Sequence, residues 1–229
     1  MPVNLVKGQN HVLNMNVFHV GLGWDVNVDA SSEEDFDLDV SAFMLNANKK
    51  TPADDYLVFY NSEKRLKVYL SGTNKGELVK PLQIVPYTNW SSNDDMRKQS
   101  RPVDPELSVI GSIDDEDGTT SEDGDDETMD IDLSKVREDI QEIIITVSIH
   151  EYAERKQNFG QVERAYVRLY RPGQEADGQG EFIYDLTEDF STCASVEFCR
   201  LYRYKGEWKI QATGVGHQGG LEELVNKYM

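Results

Sequence analysis

The residues best equipped for chemistry are carboxylates, and they fall in two clusters. The first runs from Gly21-Leu22-Gly23-Trp24-Asp25 through Asp29, Glu33 and Glu34 to Asp35-Phe36-Asp37-Leu38-Asp39. The second is Asp114-Asp115-Glu116-Asp117-Gly118, followed by Glu122-Asp123-Gly124-Asp125-Asp126-Glu127. Asp37 and Asp39 alternate with Phe36, Leu38 and Val40, so they share a strand face with Cβ atoms about 6.5–7 Å apart. The apolar residues claim the core face, which turns these carboxylates away from it. Like charges this dense repel, and folding them together costs free energy unless a cation neutralises them. Ca²⁺ suits such a set, because it takes about six to eight oxygen ligands at roughly 2.3–2.6 Å in flexible geometry. Glycines beside the acids let backbone carbonyls turn inward as further ligands. Mg²⁺ fits less well, since it keeps a small octahedral shell with several waters. A solvated acidic loop is the competing reading for any such run. An EF-hand is excluded. Neither Gly118 nor Gly124, set at loop position six, puts an Asp at position one, and no paired helices flank the segment.

Other constellations are weaker. His11, His19, His150 and His217 are scattered without transition-metal spacing, and His150 reads as a structural histidine at a strand end. Cys193 and Cys199 form neither a redox pair nor a zinc knuckle, and read as reduced, packed thiols. Gly214-Val215-Gly216-His217-Gln218-Gly219-Gly220 lacks the Gly-Lys-Ser/Thr ending of a phosphate loop and reads as a plain turn. No nucleophile elbow is present, and no two carboxylates stand out as an acid/base pair. The expectation is a binding protein rather than an enzyme.

The elements that position these acids have a period of two. Phe18, Val20, Leu22 and Trp24 alternate with small or polar residues, as do Phe36, Leu38, Val40, Ala42 and Met44. Ile143 to Ile149, Ala165 to Leu169 and Trp208 to Ala212 repeat the pattern. Each run is expected as a strand with one face on a core. Tyr204-Lys205-Gly206-Glu207 reads as a hairpin turn. Short strands, turn signals and little helix predict an all-β, two-sheet β-sandwich. Leu221, Leu224, Val225 and Tyr228 fit a short C-terminal helix packed on it, and Glu151 to Asn158 has room for a turn or two of helix. The stretch from about 71 to 107 carries Pro81, Pro86, Pro102 and Pro105 without sustained alternation, and reads as an insertion that docks locally through Trp90.

Composition narrows the partners. With 23 Lys and Arg against 42 Asp and Glu, the net charge of −19 disfavours nucleic acid and anionic membranes and favours cations or basic proteins. The start of the chain lacks an apolar signal region, and no apolar run is long enough to cross a bilayer. A cytoplasmic location is expected.

Taken in order, these segments resemble the TerD family of tellurium-resistance and general stress proteins. The matching stretches are Leu5-Val6-Lys7-Gly8, Gly21 to Asp25, Phe36 to Asp39, Phe59-Tyr60-Asn61, Gly124 to Glu127 and Ser148-Ile149-His150. They continue with Phe159 to Val162, Tyr184 to Asp189, Gly206 to Lys209 and Gly219 to Leu221, and together they span nearly the whole chain outside 71–107. The resemblance implies one sandwich domain over residues 1–229, interrupted by that insertion, with Ca²⁺ held between acidic loops at one end. Carried over by position, Asp25, Asp37 and Asp39 match the first acidic motif, and Asp125, Asp126 and Glu127 match the end of the second, with Asp123 beside them. The glycine-aspartate-asparagine that opens the second motif in the family is replaced here by Ser112-Ile113-Asp114-Asp115. Asp114 is the best counterpart, with Asp115 and Asp117 as alternatives. The implied role is a cytoplasmic Ca²⁺-dependent scaffold or sensor with protein partners in a stress-response complex. The alternatives are thiol-based sequestration or reduction of a toxic oxyanion, which the negative surface disfavours, and small-molecule or cyclic-nucleotide binding, which lacks a phosphate cradle.

Overall fold

A computed structural model describes residues 3–25, 36–70, 76–116, 124–174, 180–186 and 190–229. Fifteen strands, numbered in chain order, build three sheets among these residues. The first sheet contains β1 (Val3–Asn4), β3 (Val17–Gly23), β9 (Val109–Ile110), β10 (Glu127–Asp132), β12 (Tyr166–Tyr170) and β13 (Phe182–Asp185), in the order β1-β13-β12-β3-β10-β9. The second contains β2 (Asn10–Val12), β4 (Leu38–Leu45), β5 (Leu57–Val58), β11 (Glu142–Ile149), β14 (Ser195–Tyr204) and β15 (Glu207–His217), in the order β2-β15-β14-β11-β4-β5. Pairing is antiparallel except where β1 lies parallel to β13. The two sheets close over one core that includes Phe18, Val20, Leu22, Leu38, Val40, Ile143, Ile145, Val167 and Ile210. These are the alternating residues expected to face inward, so the sandwich follows from the period of two.

The expected hairpin is present. β14 and β15 meet at Lys205 and Gly206, both with positive φ (52° and 84°), which supplies the two left-handed residues of a type I′ turn. The C-terminal helix α3 (Leu221–Tyr228) buries Leu224 and Tyr228 against Phe43, Leu45, Leu57 and Ile144. This covers the outer face of the second sheet, and explains why β4 and β11 are buried along their whole length. The Gly214 to His217 stretch differs from the expected turn. It continues β15, pairing with β14 as far as Ser195 opposite His217. Gly216 lies where a Cβ would stand 2.4 Å from Cys193 Sγ, so close packing explains the glycine there.

The inserted stretch is built rather than irregular over its described part. β6 (Lys64–Lys67), β7 (Ile84–Pro86) and β8 (Ser100–Pro102) form the third sheet, in the order β7-β6-β8. Between β7 and β8 lies helix α1 (Asn93–Gln99), started by Ser92, whose Oγ accepts from Asp95 N at 3.0 Å, and seated by the buried Met96. A further short helix, α2 (Tyr152–Arg155), follows β11. Trp90, expected to dock this stretch, is half-buried.

Candidate metal centre

The acids converge where one end of β4 meets one end of β10. β5 reaches only Ala42 and Phe43, so among the described residues the start of β4 has no strand neighbour on that side. Glu127, the first residue of β10, fills the gap: its Oε2 accepts from Val40 N at 2.7 Å and ties the two sheets together. Asp39 lies beside Val40 on β4, and Asp114 arrives from the segment after β9. Single carboxylate oxygens of Asp39, Asp114 and Glu127 lie within 4.8 Å of one another, and all three residues are buried.

Asp39 Oδ2 and Asp114 Oδ2 are buried and accept no hydrogen bond. The fold does not lack the means to satisfy a buried acid. Asp104, equally buried, accepts from Ser108 N at 2.7 Å, Val109 N at 2.6 Å, Glu106 N at 3.1 Å and Ser108 Oγ at 3.0 Å. Asp104 is thus a structural turn residue, whereas Asp39 and Asp114 leave acceptor oxygens facing one another. Carboxyl groups left this way are costly unless they keep their protons or a positive charge offsets them.

Electrostatics say the same. Burial, and after it the charge of Asp114, pushes the Asp37 carboxyl up to about 8. Burial and then Asp37 hold Asp39 well above the usual carboxylate range, and burial and then Asp39 do so for Glu127. Asp114 is raised by burial, with Arg97 opposing. The wall around the cluster is made by Tyr60, His150 and Arg97. His150 Nδ1 lies 3.9 Å from Asp39 Oδ2, its ring packs edge-on to Tyr60 at 5.1 Å, and its backbone N donates to Asp37 O at 2.9 Å. Burial lowers the His150 pKa, with the charge of Glu151 opposing. A groove of about 690 Å³ lined by Tyr60, His150 and Tyr152 reaches Asp39.

The other expected ligands are placed elsewhere. Asp126 is buried beside the cluster and its Oδ2 accepts from Trp24 N at 3.1 Å, which ties the second acidic segment to the end of β3. Asp125 turns to the opposite side and is held by the buried Arg168, with Nε to Oδ1 at 2.7 Å and Nη2 to Oδ2 at 2.8 Å. Asp25 pairs with the exposed Arg164 at the surface. Asp115 is buried but outside the trio, and Asp123 and Asp117 lie outside the described residues. Two glycines expected to aim carbonyls at a metal have a different job. Gly21 and Gly23 lie within β3, where a Cβ would stand 2.1 Å from Asp125 Oδ2 and 2.5 Å from Tyr166 Oη respectively. They make room for the Asp125–Arg168–Tyr166 assembly on that face.

Sequence reasoning named neither Tyr60 nor Arg97 as part of the site. Tyr60 stood only as one residue of a matching stretch, and Arg97 carries no local signal, since it lies in the insertion. His150 was assigned a structural place, and it does fill one, but at the wall of the acidic cluster.

The comparisons with known proteins bear on family and fold. The family model described as the TerD domain matches residues 1–78 and 100–228. The tellurium resistance protein TerD of an Alcaligenes species is 36% identical over 235 residues, covering 100% of this chain and 97% of that protein. General stress protein 16U of Bacillus subtilis (strain 168) is 34% identical over 233 residues, with coverage of 100% and 97%. Among solved structures, a homologue of telluride resistance protein (TerD) from Streptomyces coelicolor A3(2) superposes with a TM-score of 0.57 at 16% identity, covering 93% of this chain and 96% of that one. At that identity the likeness speaks for the fold.

Proposed function

This chain belongs to the TerD family of tellurium-resistance and general stress proteins, and from that premise we propose that its buried acidic cluster holds Ca²⁺. The observation behind the reading is the trio Asp39, Asp114 and Glu127, with oxygens inside 4.8 Å and two of them buried without a hydrogen bond. The donors are all oxygen, which favours Ca²⁺ over Zn²⁺. They come from three separate segments with no octahedral arrangement imposed, which favours the irregular, many-oxygen shell of Ca²⁺ over the stricter octahedron of Mg²⁺. When bound, the cation would supply further positive charge among these oxygens. Asp39, Asp114 and Glu127 would hold it, with Asp37 adjacent, and Glu127 would transmit its presence to both sheets through Val40 N. The protein acts in this reading as a cytoplasmic Ca²⁺-dependent scaffold or sensor in a stress-response complex, without catalysis.

Calorimetry with the full chain tests this. Ca²⁺ binding in the micromolar range, tighter than Mg²⁺ and lost in Asp39→Asn, is expected. Equal or tighter Mg²⁺ binding, or no heat at millimolar Ca²⁺, would refute it. Thiol chemistry on an oxyanion is disfavoured by the burial of Cys199 in the core, which pushes its pKa well up and suppresses the reactive thiolate.

A further inference from the structure

Helix α1 belongs to the 79–99 stretch that separates the two segments matched by the family model. It brings one cation to the acidic cluster. The Arg97 guanidinium lies with Nη1 3.6 Å from Asp114 Oδ2 and Cζ 4.7 Å from the centre of the Tyr60 ring. Its side chain is 20% exposed.

The manner of this contact is unusual for arginine. A separation of 3.6 Å is beyond hydrogen-bond range, Arg97 Nε is buried without an acceptor, and Asp114 Oδ2 is buried without a donor. Arg168 shows what a committed pair looks like in the same molecule, gripping Asp125 with two bonds of 2.7 and 2.8 Å. Arg65, buried on the neighbouring strand β6, is fixed by Ser100 Oγ at 2.6 Å, Tyr60 O at 2.6 Å and Ser100 O at 3.2 Å. Arg97 is therefore held at the cluster by charge and by the Tyr60 face, without the directional bonds that would lock it. Its charge opposes the effect of burial on Asp37, Asp39 and Asp114 alike.

We infer that Arg97 is a tethered counter-ion: it neutralises the acidic cluster from the inserted helix, competes with a divalent cation for Asp114, and is expelled together with the seat of α1 when that cation enters. The inference rests on the cation reading above and adds to it a residue that sets the affinity. The physical basis is simple. A divalent ion among these oxygens places two positive charges next to a guanidinium held by no hydrogen bond there, and the tethered charge is the one able to leave. Lys98, next in the helix, bridges Asp94 at 2.8 Å and Glu116 at 3.6 Å, so α1 as a whole is held on the second acidic segment by two cations. Loss of the Arg97 contact removes one of the two, and ion occupancy is thereby read out as loosening of α1.

The test compares wild type with Arg97→Gln and, as a control that removes a charge from the same helix outside the cluster, Lys98→Gln. Calcium chloride titrated into the full chain should bind Arg97→Gln about tenfold tighter than wild type, a coupling of ordinary size. Lys98→Gln should shift affinity much less. In wild type, saturating Ca²⁺ should speed amide exchange over residues 93–99. Wild type that binds Ca²⁺ while Arg97→Gln binds equally or more weakly, or unchanged exchange in α1, would overturn the inference and leave the cation reading standing. Where wild type binds no Ca²⁺, tight binding by Arg97→Gln still supports the competition. If neither protein binds, melting in chelator decides. Arg97→Gln falling well below Lys98→Gln keeps the counter-ion and discards the cation, and equal melting discards both.

Discussion

Replacing Asp39 with asparagine at pH 8 in chelator should stabilise the protein, although it removes a carboxylate from the family's acidic motif. Two unit charges 4.8 Å apart repel by about 3.5 kcal/mol at an effective dielectric constant of about 20, and Asp39 faces both Asp114 and Glu127 at that distance or closer. Full ionisation would therefore set about 7 kcal/mol of repulsion on Asp39 alone, a large share of the roughly 5–15 kcal/mol that holds a domain together. The carboxyls escape most of this by retaining protons, and Arg97 offsets some, so a gain of about 2 kcal/mol is expected. For a chain of this size that is a rise in Tm of about 4–8 °C. The direction with pH follows from the raised pKa values. A carboxyl held above its ordinary value in the fold is protonated there at low pH without cost, and its penalty grows as pH climbs toward the folded value. The advantage of Asp39→Asn should shrink at pH 5. Excess Ca²⁺ should reverse the order, adding about 2.7 kcal/mol to wild type at a hundredfold over Kd and nothing to the variant. Thermal melts of both proteins at pH 5 and 8, in chelator and in Ca²⁺, provide the readout. A variant that melts below wild type in chelator at pH 8, or a gain of equal size at pH 5, would refute the repulsion argument.

The metal-free protein should lose stability from about pH 4 to 8, since Asp37 alone, raised to about 8, binds a proton in the fold through most of that window and not in the unfolded chain. Denaturant midpoints in chelator across that range check it, and a flat profile counts against the assigned shifts. Asp125→Asn should behave unlike Asp39→Asn. It strips the partner from the buried Arg168 and should cost about 3–5 kcal/mol with Ca²⁺ or without, while any folded fraction keeps its Ca²⁺ affinity, as melts and calorimetry would show. Cys199 should resist a thiol reagent in the native state and react only on unfolding, whereas the half-buried Cys193 reacts first. Mass spectrometry of modified peptides distinguishes the two, and rapid native labelling of Cys199 would reopen thiol chemistry as a function.

The alternation of Phe36, Leu38 and Val40 with Asp37 and Asp39 was legible in the sequence because a strand's side-chain period is local. So were the sandwich, the Lys205-Gly206 turn and the helix at Leu221, each set by spacing within a few residues. The density of acids was legible too, because charge is counted without coordinates. Which acids meet was decided only in three dimensions. Glu127 reaches Asp39 because β5 stops short and leaves Val40 N open, a matter of how far one strand pairs with another. Asp125 and Asp126, adjacent in the chain, part toward Arg168 and the Trp24 amide, and no spacing rule foretells which neighbour claims which. Arg97 approaches Asp114 from an insertion with no motif of its own. Such contacts depend on long-range register and on the seating of one layer upon another, and a charge in one segment carries no mark of the distant charge it will face.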